Sequence, residues 1–357
     1  MKQKDIKDIN SENDFEYKAV GFSNIGNSCY MNSFLQILLH CPNFLNELKK
    51  RFQFTCKNNL ANTSLIKIII DLSDSEYPYN KKYLYSILNY MKNVSDYTLF
   101  IQNDSQDFGK DLINEIIEDY KASYVNKKED FFIHNISSTS LKEEKNAYNI
   151  SNNNLYKKCL INQAFIDTFQ KNETIIEKMF TVNEIETIFK NKRNYEFIIN
   201  TSFDIELTFP NQNINYNYKL KDLFDFKYNL NNNDFGNKKC LKIVERKICK
   251  LPDILIITII RKLIGKNFSS YKLFIPEEID LDKYIDKDLI KGNKTFYNLF
   301  AINNKIGKSH LCGHYFSDIK IKEQWFEFDD KYVSEFKFNS NKPSTSVIGL
   351  FYIKNYK

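Results

Sequence analysis

The chain has 357 residues, 42% hydrophobic and 15% aromatic, and its 51 basic and 45 acidic residues give a formal net charge of +6. This is enough apolar material for a sizeable core, and the mild charge, interspersed with Asn and acids, excludes a nucleic-acid footprint. The seven cysteines are odd in number, widely spaced and without a CxxC pair, which excludes a disulfide framework or a zinc knuckle and fits a reducing compartment.

Residues 1–18, MKQKDIKDINSENDFEYK, are charged throughout and read as a polar tail rather than a secretory signal. In GFSNIGNSCYMNSFLQILLH (21–40), Met31, Phe34, Leu35, Leu38 and Leu39 follow the spacing of one buried helical face. Asn27 or Ser28 can cap this helix and Pro42 limits its end. A second helix follows NDSQDFGKDLINEIIEDY, with Leu112, Ile113, Ile116, Ile117 and Tyr120 apolar. Residues 121 to about 158 are rich in Lys, Asn and Ser and are expected to form an insertion or mobile loop. Residues 211–239 are Asn-rich, with one short helix expected around Leu220, Leu223 and Phe224. From about 241 onward the pattern turns to strands. LPDILIITII suits a strand buried on both faces, and TFYNLFAIN, HYFSDIKI and WFEFDD follow at strand length. The longest apolar run, Ile254–Ile260, is interrupted by Thr258 and falls far short of the ~20 residues of a membrane span. Helices first and strands afterwards predict an α+β fold in a soluble, intracellular protein with no internal repeat.

Cys29 sits at the predicted N-terminus of the first helix. Unpaired backbone N–H groups and the positive end of the helix dipole there favour a thiolate, the setting of a nucleophile. The competing reading is a small buried hydrophobe at a helix start. A nucleophilic cysteine needs a base and an orienting group. Of the four histidines, His40 lies at the far end of the same helix, about 16 Å away, and is expected on the surface or beside the helix C-terminus. His134 falls in the polar insertion and His310 in the loop KIGKSHLCG. His314 remains. If HYFSDIKI and QWFEFD pair around a turn near Lys322, His314 and Asp329 fall nearly opposite, their midpoint being 321.5. The carboxylate would then accept from the imidazole Nδ1–H. A structural cross-strand contact would look the same. Asp330 is a turn residue that could substitute for Asp329 as orienter. Gly313 leaves room beside the histidine. Asn24, in a turn with Gly26, could aim its amide with the Cys29 N–H at one oxyanion, or be a plain turn residue.

These residues carry a resemblance. GFSNIGNSCYMNSFLQ resembles the cysteine box of the ubiquitin-specific proteases, the papain-like deubiquitinases, and GHYFSDIK with WFEFDDKYV resembles their histidine box. LPDILIITIIRK, YKLFIPEEIDLDKYI and FYNLFAINNKIG are similar to intervening family segments, in family order, from about residue 20 to 354. The resemblance implies a papain-like cysteine protease fold with a helical thumb, a β-rich palm and reduced or divergent β fingers. The tail would be 1–18 and the catalytic domain 19–357, with the thumb at about 19–160, the fingers at 161–250 and the palm at 251–357. It implies cleavage after the diglycine of ubiquitin, with Cys29 as nucleophile, His314 as general base, Asp329 as orienting acid, Asn24 as oxyanion donor and Asp330 as auxiliary. In SQDFGKD, Gln106 and Asp107 fall on a box whose acid helps bind the basic ubiquitin tail. Gly313 and Tyr315, flanking the histidine, are assigned to substrate contact.

The sequence departs from the family pattern in places. Phe108, Lys110 and Asp111 replace the usual Ala, Glu and Phe of that box, Lys305 stands where a histidine is common, and Arg261-Lys262 replaces an Arg-Phe pair. The expected finger region offers only Cys240 and Cys249, so no zinc and no cofactor are expected, and the fingers would be held by packing and strand pairing or be shortened. The implied partners are ubiquitin and ubiquitinated proteins, without nucleic acid or membrane, for a monomer of the cytoplasm or nucleus. Two other readings stay open: a weak or inactive ubiquitin-binding scaffold, and a protease for a ubiquitin-like modifier.

Overall fold

The computed structural model describes residues 19–56, 64–122, 139–141, 174–189, 195–210, 215–228, 243–261, 263–264, 267–268, 271–287, 289–290, 294–307 and 313–356. The polar tail, most of the 121–158 insertion, His134, His310 and much of the second Asn-rich stretch lie outside them. Five helices come first: α1 (Cys29–Leu39), α2 (Phe44–Cys56), α3 (Leu65–Ser73), α4 (Lys81–Met91) and α5 (Ser105–Ala122). There follow β1 (Thr139–Leu141), α6 (Ile175–Phe180), β2 (Val182–Phe189), β3 (Tyr195–Ser202), β4 (Asp204–Thr208), β5 (Asn217–Lys219) and α7 (Leu220–Tyr228). The rest is strand: β6 (Ile243–Lys250), β7 (Ile254–Ile260), β8 (Leu263–Ile264), β9 (Asn267–Phe268), β10 (Lys272–Phe274), β11 (Glu278–Asp280), β12 (Phe296–Ile306), β13 (His314–Ile321), β14 (Gln324–Asp329), β15 (Tyr332–Phe336) and β16 (Val347–Lys354). The α+β order and the helices at 29–39, 105–122 and 220–228 agree with the sequence reading. Strand β1 lies within the expected insertion.

The main sheet has the order β15-β14-β13-β12-β16-β7-β4, with β11 attached to β12. β7 is buried at six of its seven positions because it lies between β16 and β4 and both faces of the sheet are covered. One core joins the five helices and α6 to one face of the sheet, and a second core joins α7 to the other. A smaller sheet, β1-β3-β2-β6, extends from them. Arg261, just past β7, is buried and donates from Nε to the Val347 carbonyl at 2.8 Å and from Nη1 to the Tyr271 carbonyl at 2.6 Å, tying two chain segments to the sheet. No helix among the described residues is long and apolar enough to cross a membrane.

The periodicity of α1 predicts one buried face, yet all eleven of its residues are buried. The helix runs between the other helices and the sheet, so its polar side is covered too. Two of its polar residues find partners there: Gln36 Nε2 donates to the Val20 carbonyl at 2.8 Å, and Ser33 Oγ donates to the Tyr30 carbonyl at 3.1 Å.

Gly109 lets α5 approach α1. A Cβ at Gly109 would sit 2.0 Å from the Phe34 ring, which is itself 1% exposed and edge-on to Phe351. A mid-helix Gly→Ala change ordinarily gains about 1 kcal/mol. Here overpacking against a ring with nowhere to go costs about 1–3 kcal/mol or more and reverses the sign. Gly109→Ala is expected to lower the urea midpoint of unfolding; an unchanged or raised midpoint would show that the helices can separate freely.

Candidate active site

The turn before α1 is built by polar side chains. Gly26 (φ 120°) and Asn27 (φ 53°) are both left-handed, and a Cβ at Gly26 would lie 2.9 Å from the Phe100 ring. Asn24 Oδ1 accepts from the Gly26 N–H at 3.0 Å and the Ser28 N–H at 3.3 Å, an Asx-type closure of the loop. Ser28 takes the N-cap position, but its hydroxyl accepts from the Ile25 N–H at 2.9 Å instead of capping the helix. Asn80, fully buried, donates to the Gly21 carbonyl at 2.9 Å and anchors the loop from below. Cys29 is therefore the first residue of α1, held against the unpaired N–H groups of the first turn.

The sheet presents the other half. β13 and β14 pair with Ile321 opposite Gln324 and Ser317 opposite Phe328, around a turn at Lys322 (φ 55°) and Glu323. This register is two residues from the one expected: its next step sets Asp329 across from Phe316, diagonal to His314. A slip of two keeps side chains on the same face, so the pair still forms. His314 Nε2 and Asp329 Oδ1 lie 2.5 Å apart. The expected Nδ1 contact is thus corrected: Nε2 faces the carboxylate, which leaves Nδ1 for Cys29. The hydrogen bond with Cys29 does most to raise the His314 pKa, to about 9; the bond and charge of Asp329 add to it, and partial burial opposes it.

Asp330 does not substitute for Asp329. Its carboxylate accepts from Asn24 Nδ2 and from Asn32 Nδ2, each at 2.8 Å, while its backbone carbonyl accepts from the Phe22 N–H at 2.7 Å. It fixes Asn24 and ties the β14–β15 turn to α1. His314, Asp329 and Asp330 are the one group among the described residues whose donor atoms lie within 4.8 Å of one another as a metal would need. His314 and Asp329 are engaged with each other, and Asp330 with Asn24 and Asn32, so the trio reads as a hydrogen-bonded array.

Two further expectations change, those for Gln106 and Tyr315. Gln106 is 3% exposed, its Oε1 faces Thr258 Oγ1 at 3.4 Å and its amide fills the space over Gly349, so it points into the core and not at substrate. Tyr315 is 1% exposed, because alternation along β13 turns it into the core when His314 faces the cleft. His40 takes the second of its two expected places, buried at the C-terminus of α1: its Nδ1 lies 2.8 Å from the Gln36 carbonyl and its ring packs on Phe328. Asp107 stays exposed, as a substrate contact requires, but Lys110 Nζ lies 3.2 Å away and also reaches Glu206 at 3.4 Å. Lys305 is buried with its ammonium 4.9 Å from the Tyr315 ring.

Gln102 escaped the sequence reading. Its Oε1 accepts from the Gly313 N–H at 3.0 Å and its Nε2 donates to the Gly313 carbonyl, clamping the residue before the histidine. A Cβ at Gly313 would meet the Ile306 carbonyl at 2.8 Å. No local pattern marks Gln102, which acts 211 residues along the chain. Asp104, whose Oδ1 accepts from the Gln106 and Asp107 N–H groups, was legible as a helix cap in NDSQD.

Asp318, four residues past His314, faces Glu327 across the strands and accepts from Asn304 Nδ2 at 2.8 Å. Burial pushes its carboxyl up to about 7. A carboxyl raised in the folded state favours folding when protonated. That contribution is complete below the unfolded value near 4 and is lost as pH rises to about 7. Asp318→Asn keeps the acceptor for Asn304 and removes the charge. It is expected to be more stable than the wild type by up to about 4 kcal/mol at pH 8 and equal to it at pH 4. Denaturant unfolding at the two pH values checks this, and the same difference at both would refute it.

The sequence matches the ubiquitin carboxyl-terminal hydrolase family over residues 20–352. It is 26% identical over 338 residues to ubiquitin carboxyl-terminal hydrolase 4 of Arabidopsis thaliana, spanning 88% of this chain and 84% of that one. It is 24% identical over 347 residues to ubiquitin carboxyl-terminal hydrolase 8 of Saccharomyces cerevisiae, spanning 88% and 66%. The fold is similar to the SAGA Ubp8/Sgf11/Sus1/Sgf73 DUB module bound to ubiquitin aldehyde, with a TM-score of 0.66 and 19% identity over 94% of this chain and 69% of that one. The chain belongs to the ubiquitin carboxyl-terminal hydrolase family of cysteine-type deubiquitinases, with its papain-like fold.

Proposed function

We propose that the chain hydrolyses the isopeptide or peptide bond after the C-terminal diglycine of ubiquitin through an acyl-enzyme on Cys29. The observation that carries this is the line from Cys29, at the N-terminus of α1, through His314 to Asp329. The Cys29 proton passes to His314, and Sγ attacks the glycine carbonyl. The oxyanion is held by the Cys29 N–H and by the second amide hydrogen of Asn24, whose first is taken by Asp330. His314 protonates the departing amine, then draws a proton from water as water attacks the thioester, releasing ubiquitin and restoring the thiol. Asp329 holds the ring and its charge throughout. Asp107 and Gly313 flank the approach of the tail. In this reading the five helices form the thumb, the main sheet the palm and the β1-β3-β2-β6 sheet the fingers. The enzyme works as a monomer in the cytoplasm or nucleus, where the thiol stays reduced.

Intact-mass measurement after incubation with ubiquitin bearing a C-terminal electrophile tests the reading. A one-ubiquitin adduct is expected on the wild type and none on Cys29→Ala. A folded wild-type protein that forms no adduct would overturn it, and an adduct only with a ubiquitin-like modifier would reassign the substrate.

A further inference from the structure

A cavity of about 590 Å³ opens beside the catalytic pair. His314, Asp329, Asn24 and Asp330 line it together with Lys81, Lys331, Tyr77 and Tyr332. Neither Cys29, Gln102, Gly313 nor any residue of α5 lines it. The chemistry says which half of the substrate belongs there. His314 must hand its proton from Nδ1, the ring atom beside Cys29, to the departing amine, and the cavity borders that gap because Asn24, the oxyanion donor of the reading above, and His314 both line it. The ubiquitin tail, on the reading above, passes the Gly313 and Asp107 side. The cavity is then left for the protein that carried ubiquitin.

The charges in the cavity are unequal in what they can offer a ligand. The Asp329 carboxylate is paired with His314, and that of Asp330 accepts two amides. Lys81 and Lys331 are exposed, and among the described residues no carboxylate lies within ion-pair distance of either ammonium. Lys331 Nζ lies 4.9 Å from the Tyr332 ring and Lys81 Nζ 5.9 Å from the Tyr85 ring, contacts that orient an ammonium without neutralising it. Tyr77 and Tyr332 are largely exposed and offer flat surfaces and hydroxyl groups to a peptide.

We propose that this cavity is the leaving-group subsite and that Lys81 and Lys331 select acceptor proteins in which acidic residues flank the ubiquitin-bearing lysine. The inference rests on the deubiquitinase reading and adds the acceptor class to it.

The test uses ubiquitin joined by an isopeptide bond to the lysine of three peptides of equal length, with acidic, neutral or basic flanks, and ubiquitin-aminomethylcoumarin as a substrate with a small uncharged leaving group. For the wild type, kcat/KM on acidic flanks is expected to exceed that on basic flanks about tenfold at ~50 mM salt, the ratio shrinking as salt rises. In the Lys81→Glu, Lys331→Glu double variant the ratio is expected to vanish or invert. A wild-type ratio within twofold, or a ratio unchanged in the folded double variant, overturns the subsite. Coumarin release without flank preference overturns this inference alone. No release from any ubiquitin substrate overturns the deubiquitinase reading and the subsite with it.

Discussion

Cys29→Ala is expected to lower hydrolysis of ubiquitin-aminomethylcoumarin by at least about 10⁴-fold, while ubiquitin affinity stays within a few-fold of the wild type. Among the described residues the attacking sulfur has no substitute. Cys41 is buried at the far end of α1, where burial holds its thiol protonated, and Cys249 is buried on β6. Removing a covalent nucleophile leaves only the residual effect of the oxyanion donors and of binding. Folding should be little disturbed, because one sulfur is lost at a helix terminus whose backbone is held independently by Asn24 and Asn80. Steady-state turnover and direct binding measured on the same preparation check both halves. Turnover retained within tenfold would place the nucleophile elsewhere. Loss of binding together with activity would point to a structural role for the thiol.

Asp329→Ala is expected to lower kcat/KM by about 10²–10⁴-fold and to move the alkaline limb of the pH profile downward. The sign follows from the charges. In the proposed mechanism His314 must carry a proton to give to the departing amine, so activity is expected to end where His314 loses it. In the wild type that limb is expected at about 9, the His314 pKa being raised first by Cys29 and then by the bond and charge of Asp329. Without the carboxylate the imidazolium loses a partner and releases its proton at lower pH. Asp330→Ala is the control. It frees Asn24 and Asn32 and should lower kcat through the oxyanion donor, but it should leave the alkaline limb nearly in place, since the Asp330 carboxylate is directed at the two amides. If Asp329→Ala were mild and Asp330→Ala moved the limb, the two acids would have to exchange roles. Stopped-flow or plate kinetics between pH 6 and about 10 would separate them.

The chemistry of the site was legible because it depends on residue types at local spacing. A cysteine opening an apolar-periodic helix, a glycine-histidine pair opening a strand and an Asp-Asp turn after the next strand need no tertiary knowledge to be noticed. The helix at 29–39, the buried strand at 254–260 and the hairpin were legible for the same reason, since each repeats a local period. Asp104 could have been added by the same capping logic.

Other features rest on contacts between residues far apart in the chain. The hairpin register is one: side chains alternate with a period of two, so the pattern says which face His314 and Asp329 share but not which residue stands opposite. The turn at Lys322 and Glu323 settles that, and with it the diagonal approach that sets Nε2 on the carboxylate. The division of labour between Asp329 and Asp330 depends on Asn32, a helix residue 298 positions away. The inward turn of Gln106 and the burial of α1 on all sides depend on what is stacked against them, Gly349 of the sheet in one case and helices on one side with the sheet on the other in the second. The sequence by itself determined which groups could do acid, base and nucleophile chemistry, because reactivity resides in side chains and their nearest backbone. Only the tertiary structure decided which of those groups face one another, because burial and hydrogen-bond partnership are properties of neighbours in space and not along the chain.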